Sequence, residues 1–271
     1  MKQQSNRLVH KVRGDLQNRN SPAWKRLCEY VEQVAADGTE EFSPLEALGQ
    51  DLFQQIHTLP ESISRLKKVK KVWLYGSMLT QLPPEIGQME ALEEFDPYTS
   101  YYLHWYPYEI TNCKNLKASR VSTRALYGNY KNRMPFPNLR HNPVRYTGET
   151  LKCSICNKEI TYAQTNQFWI SLRVGTDMLP LLVNVCSVEC ENKIPQSPKG
   201  FVSGHHKGGS AIQIPTFDEW SEANTRKISL KDMNYDTSNE PPKNIPVLQV
   251  IRKIWDKFGD TSRHDTDARE K

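Results

Sequence analysis

The feature that most constrains this fold is a recurrence of apolar positions between Leu59 and Leu116. The segment LPESISRLKKVKKV, residues 59–72, returns 23 positions later as LPPEIGQMEALEEF, residues 82–95. A third copy, PYEITNCKNL, begins at Pro107 and follows at a spacing of 24. Self-similarity at such a period indicates units that bury their apolar faces against one another, and it favours a binding scaffold.

The start of the first two units resembles the 23-residue L-P-x-x-I class of leucine-rich repeat proteins, which occur inside plant, animal and bacterial cells. The whole chain looks similar to uncharacterised bacterial members of that class. The segments that support the resemblance are Tyr75-Gly76-Ser77, LPPEIG at 82–87 and STRALYG at 122–128. It implies a short curved solenoid whose concave strands bind another protein, and it names no particular partner.

The usual repeat frame, L-x-x-L-x-L-x-x-N, also fits the first unit. Val69, Val72 and Leu74 fill its apolar positions, and Ser77 takes the place of the asparagine. The residues between the apolar positions should face outward along the strands. They form the predicted partner-binding surface, which comprises Lys71, Trp73, Tyr75, Glu94, Asp96, Tyr98 and Arg120. An alternative is that Trp73 and Tyr75 pack against neighbouring segments, as large aromatic residues often do.

Two helices before the repeats are predicted to cap the array, because a repeat array otherwise exposes an apolar end. Ser21-Pro22 is a typical start signal and Asp37-Gly38 a typical stop for the first helix. Ser43-Pro44-Leu45-Glu46 has the spacing of a capping box and predicts a second helix extending to Ile56. Near the other end of the chain, Pro246–Phe258 has the apolar spacing of an amphipathic helix.

Four cysteines form the credible cofactor site, Cys153, Cys156, Cys186 and Cys190. Between the two pairs, apolar runs on either side of Gly175-Thr176-Asp177 predict a β-hairpin. This order resembles the treble-clef zinc finger, and it implies Zn²⁺ held by four thiolates. A closed four-thiolate shell has no open position for water, so the zinc would be structural. Disulfides or free thiols are the alternatives, whereas Cys28 and Cys113 fit core positions.

Two further segments have open interpretations. Tyr98–Tyr108 is unusually aromatic and either stacks on nucleobases or packs as a satellite core. No Lys or Arg occurs from Gln88 to Asn112, which speaks against nucleic acid at this segment. The glycine-rich loop around His205-His206 could hold a second metal, but no partner ligand lies at a fitting spacing, so we predict a surface loop.

The overall composition, with a net charge of +5, permits acidic partners without requiring one. No apolar run approaches the roughly 20 residues that span a bilayer, and the N-terminus lacks the apolar core of a secretory signal. We therefore expect a cytoplasmic protein with reduced cysteines and no membrane contact. No P-loop, dinucleotide, serine-elbow or zincin motif is present, so we expect no enzymatic activity.

The expected fold class is α/β, a short leucine-rich-repeat solenoid with an N-terminal helical cap, a small treble-clef-like zinc domain and a C-terminal amphipathic helix. The expected function is protein–protein interaction as an adaptor. A nucleic-acid-associated protein that uses the zinc module and basic patches is the alternative. The expected segments are a flexible basic arm at 1–20, the helical cap at 21–58, the repeats at 59–145, the zinc module with its loop at 146–215, a linker and helix at 216–259, and a disordered tail at 260–271.

Overall fold

The structure is a computed structural model that describes residue 12, residues 14–140 and residues 143–224. The predicted C-terminal helix over Pro246–Phe258 and the tail at 260–271 lie outside the described residues, as does most of the basic arm. No helix in the described part of the chain is long and apolar enough to cross a membrane.

The first helix, α1, spans Pro22–Asp37 and confirms both predicted ends. Ser21 caps its start, because the Ser21 Oγ accepts a hydrogen bond from the Trp24 N–H at 3.2 Å. At the other end Gly38 adopts a left-handed conformation with φ of 64°, in which a Cβ would be strained. The helix buries one face that consists of Ala23, Trp24, Leu27, Val31 and Val34.

The second predicted helix is instead two short helices, α2 at Pro44–Leu48 and α3 at Gln50–Phe53. Gly49 separates them, since its φ of 77° and ψ of 164° lie outside the helical region. The predicted capping box at Ser43 does not form, because the Ser43 side chain makes no cap hydrogen bond. The apolar spacing alone would predict one continuous helix. The conformation that the fold imposes at Gly49 divides it into two.

The described residues contain nine strands, which are numbered in chain order. They are β1 Glu41–Phe42, β2 Lys71–Trp73, β3 Glu94–Asp96, β4 Tyr106–Pro107, β5 Ala118–Ser119, β6 Thr150–Lys152, β7 Glu159–Thr161, β8 Asn166–Val174 and β9 Asp177–Val185. A parallel sheet has the order β1-β2-β3-β5, and a second sheet has the order β4-β9-β8. A third sheet is the β6–β7 pair. The fold is therefore mixed α/β with a parallel sheet.

The register of the parallel sheet follows the spacing found in the sequence. Lys71 pairs with Glu94, 23 residues later, and Glu94 pairs with Ala118, 24 residues later. A 3-10 helix precedes each of these strands, at Glu61–Arg65, Pro84–Gln88 and Tyr108–Asn112. The corresponding strand of the third unit is β5, Ala118–Ser119.

Buried serines that follow the strands connect neighbouring units. The hydroxyls of Ser77 and Ser100 lie 2.7 Å apart, and Ser100 Oγ donates to the carbonyl of Leu74 at 3.0 Å. One unit later, Ser122 Oγ accepts from the Thr99 N–H at 2.8 Å. These bonds satisfy backbone groups that the short strands leave without partners.

The aromatic segment after β3 divides into an exposed and a buried part. Tyr98 and Tyr101 are exposed, whereas Trp105 and Tyr106 are buried. Tyr106 belongs to β4, which pairs in parallel with β9. Trp105 packs edge-on against Trp169 at 5.8 Å between ring centroids. Tyr106 belongs to the main apolar cluster and Trp105 to a second one, so the buried part packs in the core, and only Trp105 fits the satellite-core interpretation.

The β8–β9 hairpin covers the open edge of the parallel sheet. Its turn places Thr176 and Asp177 against Ser119, whose Oγ accepts from both backbone N–H groups at 3.1 Å. Thr176 Oγ1 in turn donates to the Ser119 carbonyl at 2.7 Å. The last strand of the parallel sheet therefore has a hydrogen-bonded neighbour on each side.

One cluster of buried apolar residues extends from α1 through the repeats to β9 and the cysteines. A second cluster surrounds Trp105 and Trp169 and also includes Val12. Gln17, in the predicted arm, accepts a hydrogen bond through its Oε1 from the His57 N–H at 2.7 Å. The described residues of the arm thus pack against the remainder of the fold.

Candidate functional site

The first cysteine pair lies in the turn between β6 and β7. Cys153 N–H donates to the Lys158 carbonyl at 2.8 Å, and Asn157 N–H donates to the Cys153 carbonyl at 2.9 Å. Asn157 has φ of 62°, a left-handed conformation that asparagine tolerates better than most residues. This tight turn places Cys153 and Cys156 close together.

The second pair lies at the end of β9 and in α4, Val188–Glu191. Ser187 caps this helix, because its Oγ accepts from the Cys190 N–H at 3.3 Å. One cysteine, Cys186, precedes the cap, and the other, Cys190, lies in the first turn. A brief helix thus follows the hairpin and contains the last cysteine.

The fold brings the four thiols into one cluster, in which all sulfur atoms lie within 4.8 Å of one another. Cys186 Sγ is 3.5 Å from Cys156 Sγ and 3.6 Å from Cys190 Sγ. A tetrahedral ion with metal–sulfur bonds of about 2.3 Å would separate its sulfur ligands by about 3.8 Å. A disulfide would need about 2.05 Å, and all four cysteines are free. The residues present therefore fit a tetrahedral metal ion.

The thiols differ in how readily they lose a proton. The backbone N–H of Lys158 lowers the pKa of Cys156 to about 7, with the neighbouring thiols of Cys186 and Cys153 acting in the same direction. By contrast, burial raises the pKa of Cys113 to about 12. Since the thiolate is the form that binds a metal, Cys156 is prepared for ligation and Cys113 is a core residue.

A serine inside the first turn connects the cysteine cluster to the repeats. Ser154 Oγ donates to Glu109 Oε1 at 2.6 Å and accepts from the Asn184 N–H at 2.9 Å. Burial raises the pKa of Glu109 to about 7. Sequence reasoning missed this contact, because nothing in the spacing relates residues so far apart. The bond ties the cysteine turn to the third 3-10 helix.

The predicted partner-binding residues lie along β2, β3 and the positions that follow β2, β3 and β5. We call this surface the strand face and define it by Lys71, Trp73, Tyr75, Glu94, Asp96, Tyr98 and Arg120. Glu41, in β1, contacts the first two members of the strand face. Trp73 Nε1 donates to Glu41 Oε2 at 3.4 Å, and Lys71 Nζ lies 3.5 Å from Glu41 Oε1.

The centre of the strand face contains an aspartate, an arginine and a tyrosine in mutual contact. Asp96 is buried, and its Oδ2 lies 2.6 Å from Arg120 Nη2. The Arg120 guanidinium carbon lies 5.0 Å from the centroid of the Tyr98 ring. Asp96 Oδ1 also accepts from the Tyr98 N–H at 3.0 Å. Asp96 therefore positions Arg120, and Arg120 is the member of the pair that solvent reaches.

Exposed tyrosines border this contact at the carboxyl ends of the strands. Tyr75 is 49% exposed and Tyr98 is 41% exposed, with ring centroids 6.1 Å apart. Tyr101 and Tyr102, in the segment after β3, are also exposed. The sequence pattern does not predict the exposure of these two residues, because it depends on how the chain turns after Tyr98.

The His205-His206 loop closes the outer edge of β8. His206 exchanges two backbone hydrogen bonds with Trp169, at 2.8 and 3.0 Å, and its ring packs edge-on against Phe136. His205 Nε2 lies 3.2 Å from Glu191 Oε1. In the described part of the chain, only the four cysteines form a group of three or more candidate metal ligands. The loop is part of the fold.

No protein-family model matches this chain, and no curated protein matches it.

Proposed function

We propose that the protein is a non-enzymatic interaction protein that binds another protein through the strand face. The observation that supports this proposal best is the open row of Tyr75, Tyr98 and Arg120, in which the buried Asp96 pairs with Arg120 and accepts from the Tyr98 N–H. Tyrosine, tryptophan and arginine are the residue types that dominate the energetics of protein interfaces. Because Asp96 and the Tyr98 ring position Arg120 before binding, this side chain loses little conformational entropy when a partner docks.

The proposal includes the architecture of a short leucine-rich-repeat solenoid. Parallel strands recur at 23 and 24 residues, a 3-10 helix precedes each strand, and buried serines connect successive units. This combination is what the repeat frame in the sequence predicts. In such an array one strand face stays open for binding, while the other face is buried against the convex segments.

A pull-down comparison tests the strand face as a binding surface. The tagged full chain is used to recover proteins from the native host, beside the variants Tyr75→Ala and Tyr98→Ala. Phe217→Ala is the matched control, since Phe217 is an exposed aromatic residue in α5, Phe217–Asn224, off the strand face. We expect at least tenfold lower recovery of the partner with the tyrosine variants alone. Equal recovery with all three variants would refute the assignment.

We also propose that the four cysteines hold a structural Zn²⁺ in a treble-clef-like module. The support is the set of four thiols on two tight turns, with separations that suit a tetrahedral ion. When bound, the ion would join the β6–β7 turn to the end of β9, with no open position for a substrate. Metal analysis of purified protein should give about one zinc per chain. A content near zero in protein purified with reductant and without chelator would contradict the site.

The alternative function, association with nucleic acid, has weaker support from the surface charges. Lysines near the parallel sheet form ion pairs, such as Lys70 with Glu40 and Lys117 with Glu93. Nucleic-acid binding requires several cations that can neutralise phosphates, and the affinity then falls steeply with salt. A gel shift at low salt that shows salt-dependent binding would favour this alternative over a protein partner.

A further inference from the structure

The contact of Asp96, Tyr98 and Arg120 has a chemical preference that the proposed function leaves open. Arg120 is fixed from one side by a buried carboxylate and lies against the face of an aromatic ring. Its side chain is nevertheless 61% exposed. In the described part of the chain, Asp96 is its one ion-pair partner. A guanidinium has five N–H donors and no acceptor, so most of its donors remain available to a ligand.

The surroundings of Arg120 favour an anion at this position. Tyr75 and Tyr98 stand beside it and add exposed phenol rings, whose hydroxyls can donate hydrogen bonds. The neighbouring acid, Asp96, is buried beneath the guanidinium and turned to it. Glu94 lies two residues before Asp96, at the start of β3. It would repel an anion at that end of the strand, away from Arg120. An anionic group therefore finds donors at the carboxyl ends of the strands.

We propose that Arg120, Tyr75 and Tyr98 recognise a carboxylate of an acidic segment on the protein partner. The proposal rests on the proposed function and specifies the chemistry of the same surface. A planar carboxylate matches the planar fork of a guanidinium and can accept two parallel hydrogen bonds from it. The tyrosine rings would exclude water from the ion pair, which strengthens it.

A phosphate ligand fits the same surface less well. Arg120 is the exposed cation of this contact, because Lys71 and Lys117 are paired with Glu41 and Glu93. A dianionic phosphate or a nucleic-acid strand would need further cations for neutralisation. A single carboxylate needs only the one guanidinium. The charge balance therefore selects an acidic protein segment.

The test uses a phage-displayed library of random peptides, selected on the full chain and on Arg120→Gln. We expect the wild-type chain to enrich peptides that contain Asp or Glu. For each enriched peptide, a synthetic copy with Asn or Gln at the acidic position should bind at least tenfold more weakly. The Arg120→Gln variant should bind the acidic peptide at least tenfold more weakly than the wild-type chain does. It should bind the Asn or Gln copy no more weakly than it binds the acidic peptide.

Lys117→Gln is the matched control, because Lys117 is a 67% exposed cation in the same unit. It removes one positive charge outside the proposed contact, so the affinity should stay within about twofold of wild type if recognition is local. Circular dichroism would verify that both variants fold. Equal losses in both variants would show a general charge effect and overturn the proposal.

Other outcomes separate this inference from the proposed function. Failure to enrich acidic peptides, or binding that Arg120→Gln leaves unchanged, overturns carboxylate recognition. If partner recovery in the pull-down still depends on Tyr75, the strand face remains a binding surface, but not one that recognises a carboxylate. If a single-stranded oligonucleotide binds in an Arg120-dependent way and displaces the peptides, phosphate recognition replaces the proposal.

Discussion

Gly87 is the position at which two neighbouring units depend on the absence of a side chain. A Cβ at Gly87 would lie 2.2 Å from the Glu109 carbonyl oxygen, closer than any real contact. The second and third 3-10 helices would have to move apart. We therefore expect Gly87→Ala to lower the free energy of unfolding by about 1–3 kcal/mol, measured by urea titration.

The control for this prediction is Gly14→Ala. A Cβ at Gly14 would meet no atom within 4 Å, so the change in unfolding free energy should stay within about 0.5 kcal/mol. Equal stability of Gly87→Ala and wild type would mean that the two helices are not packed as closely as the structure has them.

His206 gives the fold a dependence on pH. Burial lowers the pKa of His206 to about 4, with a smaller contribution from the neighbouring His205. The unfolded chain, whose histidine has a pKa of about 6.5, therefore binds more protons between these values. The folded state therefore has the full stability that the neutral His206 allows above about pH 6.5. This contribution to the free energy of unfolding is lost as the pH falls through about 4.

Comparison with His206→Gln isolates this contribution from the other groups that titrate in acid. Thermal melts of both chains between pH 7 and 4 should show a steeper loss of stability in wild type, by on the order of 1–3 kcal/mol at the acidic end. Parallel curves for the two chains would show that His206 does not carry the effect. The titratable neighbour that acts on the pKa of His206 is His205.

At the scale of elements, the joint between the hairpin tip and β5 rests on Ser119. Its Oγ accepts from the backbone N–H groups of Thr176 and Asp177. Ser119→Ala removes this acceptor and leaves two donors without a partner, so it should loosen the tip. We expect faster hydrogen exchange at residues 175–177 and a loss of about 1–3 kcal/mol in local opening free energy.

Ser64→Ala is a suitable control, since the Ser64 side chain makes no hydrogen bond among the described residues. Exchange at residues 175–177 should be the same in this variant as in wild type. If Ser119→Ala also leaves the exchange unchanged, the hairpin tip is held by other contacts, and the sheet edge is closed without Ser119.

The elements that the sequence predicts are those whose signals are local. The cap at Ser21, the stop at Gly38 and the hairpin turn at Gly175 depend on residues within a few positions of one another. The 23-residue period also predicts the register of β2 with β3, because it repeats the same local pattern. Likewise, two short Cys spacings were enough to predict the cluster of thiols.

The features that could not be predicted arise from contacts between distant residues. Ser119 meets Thr176 across 57 positions, and Ser154 meets Glu109 across 45, with no periodic signal to relate them. Nor does the pattern show that Asp96 is buried beneath Arg120, because a strand frame gives the side of a residue and not its ion-pair partner. Gly49 likewise splits a helix that its apolar spacing presents as continuous.

At the scale of the whole molecule, the cysteine cluster and the repeats share one apolar core. Ser154 adds a polar link between the cysteine turn and the third 3-10 helix. If the cluster holds a metal ion, removing the ion should therefore destabilise the repeats as well. We expect a chelator to lower the Tm by more than about 10 °C, with one transition rather than two.

Differential scanning calorimetry with and without chelator measures this effect. Cys153→Ser should melt at the lower temperature in both conditions, because it removes a ligand. Cys28→Ala, outside the cluster, should respond to the chelator as wild type does. Identical melting of the wild-type chain in both conditions would contradict a structural metal.

The contact between the hairpin tip and Ser119 also determines where a further repeat unit could be added to this fold. A further 23-residue unit inserted between β2 and β3 would find a matching neighbour on each side. A unit added after β5 would instead have to displace Thr176 and its backbone hydrogen bonds. Variants with a wider binding face should therefore differ in the number of central units and keep the last unit and its hairpin unchanged.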